Sequence, residues 1–124
     1  LVKAIEIIRI IVAAVGIGVG YAQQYRVFAM LIVFSLGGFT GVESLLLGDA
    51  SARSKKWPTN SPYQRQGALH LLATALMMAG MLMLHTADAG LASIAATTLL
   101  FIALSALNHI SDYGRGGPAI HLCR

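Results

Sequence analysis

Four apolar runs, each nearly free of charge, leave this chain very few folds to choose from. Residues 10–22 carry no charge, and with Arg9 able to snorkel the run reaches back toward Ala4. Residues 27–42 are uncharged and the run continues past Glu43 to Leu47, while residues 67–84 and 89–107 complete the set. An α-helix rises about 1.5 Å per residue, so about 20 residues cross a hydrocarbon layer roughly 30 Å thick. A soluble bundle would need polar stripes to meet water, and these segments are apolar on nearly all faces. The pattern predicts an all-α integral membrane four-helix bundle with spans at about residues 4–22, 27–47, 62–86 and 89–110 in one domain, 1–124.

Composition excludes the rival classes. AVILMFWYC make up 56 % and DEKR 11 %, against about 25 % charged residues in an ordinary soluble domain. The single cysteine, Cys123, cannot form an internal disulfide framework. The chain begins at Leu1 rather than Met, as a sequence lacking an N-terminal piece would, and shows no cleavable leader pattern. Its net charge of +4 is scattered between the runs, with no basic helix and no aromatic platform, which argues against a nucleic-acid partner. The basic residues read instead as membrane orientation. Lys3, Arg9, Arg53, Lys55, Lys56, Arg65, Arg115 and Arg124 fall at one end of the predicted spans and only Arg26 at the other. The positive-inside rule then predicts two short hairpins joined by a cytoplasmic loop, N-in/C-in.

Several residues stand out against this background. Trp57-Pro58 and Ser61-Pro62-Tyr63-Gln64 read as a rigid turn followed by a helix start, with Ser61 as N-cap, Pro62 at the first helical position and Gln64 completing a capping box. Gly16/Gly20 and Gly37/Gly41 form two Gly-x-x-x-Gly faces, which predict close contact within the first hairpin or with a partner helix. Met77 and Met81, one turn apart, read as adaptable packing, with a thioether metal pair as the alternative. Glu6 and Arg9 form an i,i+3 pair.

Glu43, His70, His109 and Asp112 are the candidate site, because ionisable groups are costly at membrane depth and imply partners. His109 and Asp112 share a helix face, and alternating helix direction brings Glu43 and His70 to similar depth, with Arg65 or an imidazole as the expected partner of Glu43. Such a set suits a haem, a quinone or a first-row metal, or a purely structural polar layer. None of the signatures of P-loops, serine hydrolases, zincins or c-type haem attachment occurs in the sequence.

The segment from Trp57 to Gln64, followed by two apolar runs and His109-Ile110, resembles a family of small bacterial four-helix membrane proteins of unassigned function, broadly similar to the DoxX-like proteins. In that family a Trp-Pro turn leads to Ser-Pro-Phe-Gln and a histidine closes the fourth helix. Here Tyr63 stands for Phe, and Arg65-Gln66 stands where the family carries an acidic residue. The resemblance implies fold, topology and a bacterial cytoplasmic (inner) membrane, and no reaction.

The expected function is a noncatalytic small membrane subunit that packs against a larger membrane complex. A redox or metal-, haem- or quinone-binding protein using the Glu/His/Asp cluster is the alternative. A small multidrug-type exporter needs a carboxylate well inside a helix, and Glu6 lies too near an end for that role.

Overall fold

The computed structural model describes residues 2–54, 59 and 62–115, apart from the side chains of Ser54, Tyr63 and Asp112. Among them the chain forms five helices: α1 (Val2–Tyr21), α2 (Tyr25–Leu46), α3 (Gly48–Ser54), α4 (Pro62–Met83) and α5 (Asp88–Gly114). Three of these, α2, α4 and α5, are long and apolar enough to cross a membrane.

This corrects the expected four-span bundle of two hairpins in three respects. First, α1 carries Lys3, Glu6 and Arg9 in its first half and is not among the three apolar spans, although it lies antiparallel beside α2. Second, the segment between the second and third runs contains a helix rather than a plain loop. Asp49 in the first turn of α3 and Arg53 in its last complement the helix dipole, and Ser51 and Ala52 are buried. Third, α2 is not a uniform α-helix, because Val33–Phe39 adopts π-helical geometry. That segment reads Val-Phe-Ser-Leu-Gly-Gly-Phe, and Ser35 Oγ donates back to the Ile32 carbonyl at 3.2 Å. Two glycines and a back-bonding serine loosen the regular ladder, which favours the wider turn. With three spans, the charge count that gave N-in/C-in no longer places both termini.

Two helices end in the same way. Gln23 and His85 both have a left-handed backbone, with φ of 61° and 52°. Gln24 N–H donates to Val19 and Gln23 N–H to Gly20, while Thr86 N–H donates to Met81 and His85 N–H to Leu82. Each is a Schellman ending with a non-glycine residue in the left-handed position. They turn α1 into α2 and α4 into α5 within a few residues.

Small residues let the backbones approach, which matters in lipid because apolar burial alone supplies little drive. A Cβ on Gly16 would lie 3.1 Å from Leu31 Cβ, and one on Gly20 would lie 3.0 Å from the Phe28 ring, so this pair faces α2. Gly37 and Gly41 face α4 instead, against Leu71, Thr74, Ala68 and Leu72. The core gathers Ala29, Val33, Ala75, Met78, Leu91 and Ala95. Met78 is fully buried there, whereas Met77 is 60 % exposed.

The packing is divided along α2. Its Tyr25–Ile32 part meets α5, its Val33–Phe39 part meets both α4 and α5, and its Thr40–Leu46 part meets α4. Arg26 pins the first contact, 2.8 Å from Asp88 and 3.4 Å from the Thr86 carbonyl. Beyond Thr98, α5 has no fully covered side chain among the described residues, and Leu100, Leu104, Leu107 and Ile110 are all more than half exposed.

Candidate functional site

Glu43 is the one buried acid among the described residues. It sits one turn from the end of α2 and is 4 % exposed. A lone carboxylate there would be expensive, and two neighbouring helices meet its requirement for partners. Arg9 Nη1 of α1 lies 3.7 Å from Glu43 Oε2 and donates to Thr40 Oγ1 at 3.1 Å. Ser51 Oγ of α3 donates to Glu43 Oε1 at 3.2 Å.

Each contact follows from local structure. Thr40 and Glu43 are three apart on one helix face, so one guanidinium can reach both. Leu47 leaves helical geometry and Gly48 starts α3, which turns Ser51 back over Glu43. The antiparallel course of α1 carries Arg9 to the same depth. Both carboxylate oxygens are therefore in contact with a donor group.

Among the described side chains, none of the other candidate residues is a hydrogen-bond or ion-pair partner of Glu43. His70 is an exposed residue of α4 whose ring lies 5.0 Å from that of Phe101, tilted by 43°. His109 is half-buried on the last turns of α5. Asp112 lies on α5 with its side chain outside the described residues, whereas Trp57, Pro58 and Ser61 of the expected turn and cap lie outside the described residues altogether. Pro62 begins α4, where its missing N–H is no loss. Gln64 Nε2 donates to the Gly48 carbonyl at 3.4 Å, which links α4 to α3. Arg65 is exposed and is not the partner of Glu43.

Among the described residues no group of three or more His, Cys, Asp and Glu side chains comes together as a metal ligand set. Thr40 and Ser51 are the members of the Glu43 network that sequence reasoning missed. The Thr-x-x-Glu spacing was a usable signal for Thr40; Ser51 has no signal without the turn at Leu47. Chemically, the arrangement is a charge-assisted tie between three helices. Comparison with protein-family profiles, with curated proteins and with solved structures finds no match for this chain.

Proposed function

We propose that this chain is a small integral membrane subunit, without a reaction of its own, that packs against and stabilises a larger membrane protein complex. The observation that supports it best is the use of Glu43. Its carboxylate is taken up by Arg9 and Ser51 in holding α1, α2 and α3 together, rather than facing His70 or a vacant site. Around this internally tied unit, apolar surface is left open on α1 at Ile7, Ile10 and Ile11 and on the second half of α5. A partner helix laid along Leu100, Leu104 and Leu107 would complete the side of α5 that its own chain leaves bare.

The membrane is the bacterial cytoplasmic one, as the resemblance to the small four-helix family implies. The end carrying Arg53, Arg65 and Arg115, where α2 and α5 finish, faces the cytoplasm, in keeping with the positive-inside rule.

A photo-crosslinking residue at Leu104 tests the proposal in native membranes, with Leu91, fully buried, as the internal control. A discrete protein adduct from position 104 and none from position 91 is the expected result. Adducts with lipid alone, and migration of the solubilised protein as an isolated chain of 13.1 kDa, would refute it. A visible absorbance or stoichiometric metal that survives purification and disappears in His109→Ala would favour the redox alternative.

A further inference from the structure

A cleft of about 140 Å³ opens where α2 ends, α3 begins and α4 starts, with Ser44, Leu46, Gly48, Asp49, Gln64 and Arg65 in its walls. One water needs only about 10–15 Å³ of such space, so the cleft admits a polyatomic group. Its depth is set by the spans themselves. The candidate span of α2 ends at Leu46 and that of α4 begins at Gln64, both on the cleft wall. The cleft therefore straddles the boundary between hydrocarbon and headgroups, where lipid phosphates lie.

Its polar groups are of two signs. The two ion pairs of the described helices use Arg9 and Arg26, and Arg65 belongs to neither. A guanidinium presents a planar fork of donors that matches phosphate oxygens. Gln64 spends one N–H of its amide on the Gly48 carbonyl, bracing the floor of the cleft, and a second N–H remains on the same nitrogen. Asp49 adds a carboxylate to the wall, and a carboxylate can accept from several donors at once. Asp49 already has an interaction within the protein, and an ammonium can share its oxygens with that partner. A zwitterion brings such a cation together with its phosphate, and a purely anionic group does not.

We propose that this cleft binds the headgroup of a zwitterionic phospholipid bearing a primary ammonium, its phosphate on Arg65 and Gln64 and its ammonium toward Asp49. A phosphocholine group has no N–H to give Asp49, and a phosphoglycerol group brings no cation. The site is separate from the Arg9–Glu43 tie and independent of whether the chain is a subunit of a complex.

Native mass spectrometry of the full chain in detergent, with short-chain phosphatidylethanolamine, phosphatidylglycerol and phosphatidylcholine supplied in turn, tests this. Phosphatidylethanolamine is expected to be retained best. Arg65→Gln lowers that retention about tenfold, from loss of a charge-assisted contact, and Arg65→Lys keeps part of it. Asp49→Asn removes the preference over phosphatidylglycerol while phosphate binding persists. This second comparison leaves Arg65 intact, so it holds even if the arginine variant fails to fold. Equal retention of phosphatidylethanolamine by the parent and Arg65→Gln proteins, or a lipid preference unchanged in Asp49→Asn, overturns the proposal. Displacement of the lipid by an equal concentration of water-soluble phosphoethanolamine overturns the lipid as the source and leaves a soluble phosphoryl compound.

Discussion

One substitution, glycine to alanine, should change sign from place to place in this protein. At Gly41 the new Cβ would lie 3.0 Å from the Ala68 carbonyl oxygen, 3.0 Å from Leu72 N and 3.2 Å from Leu72 Cβ. Two of these neighbours are backbone atoms of α4, which cannot rotate away, so the whole helix must yield by a few tenths of an ångström. The adjoining contact at Gly37, with the Leu71 carbonyl oxygen 3.2 Å from a built Cβ, would be disturbed by the same shift. Overpacking of this kind costs about 1–3 kcal/mol, and the better helix propensity of alanine returns at most about 1 kcal/mol. Gly41→Ala is therefore less stable by about 1–2 kcal/mol. At Gly80 nothing lies within 4 Å of the built Cβ, and Gly80→Ala gains about 0.5–1 kcal/mol. Gly20 is intermediate, because its 3.0 Å neighbour is the ring of Phe28, which can turn aside. Reversible unfolding in mixed micelles, followed by helical circular dichroism, should rank Gly80→Ala above the parent, Gly20→Ala beside it and Gly41→Ala below. If Gly41→Ala proves as stable as Gly80→Ala, α2 and α4 do not approach as closely as described.

Removing either member of the Arg9–Glu43 pair should destabilise the fold by on the order of 2–4 kcal/mol, less than a wholly buried pair because Arg9 keeps a quarter of its side chain exposed. Replacing both by Met should cost less than either single change, and a thermodynamic cycle in the same micelles measures this. Asp88→Asn should shift stability by no more than about 1 kcal/mol, since its pair with Arg26 is 41 % and 72 % exposed; a larger shift in the unfolding midpoint would contradict that. His85→Gly should stabilise the α4–α5 turn by relieving a left-handed residue, on the order of 1 kcal/mol, and thermal melting reads it directly. With Cys123 replaced by Ser, new cysteines at Gln23 and Arg53 should label from opposite faces of the membrane, because the α2 span separates them.

The multi-pass membrane character was legible in the apolar runs, since hydropathy needs no tertiary information. Glu43 was legible as a buried acid because it interrupts such a run. Its partner was not, because Glu6 offered Arg9 a nearer carboxylate, and only the antiparallel course of α1 carries Arg9 to Thr40 and Glu43. The Gly-x-x-x-Gly spacing marks a small face without saying which neighbour meets it: Gly16 and Gly20 meet α2, whereas Gly37 and Gly41 meet α4. α1 reads as a span by its isoleucines, yet it carries Lys3, Glu6 and Arg9 and is not among the three spans of the described residues. The π segment was invisible, because Val33–Phe39 has the same composition whichever helix it forms.

That segment makes residue number, rather than residue type, a carrier of structural information. Each residue of an α-helix advances the side-chain direction by about 100°, and a π turn accommodates a surplus residue without interrupting the rod. The stretches on either side of it are consequently indexed to different neighbours, Tyr25–Ile32 to α5 and Thr40–Leu46 to α4 and Arg9. Deleting one residue between 33 and 39 removes the surplus, so the ladder can close to regular α-helix with Glu43 still toward Arg9, whereas a deletion between 26 and 32 would swing Glu43 about 100° away with both side chains chemically untouched. Substitution scanning passes over such a defect, whereas a scan of single-residue deletions and insertions through α2 would locate it as a sharp boundary in tolerance.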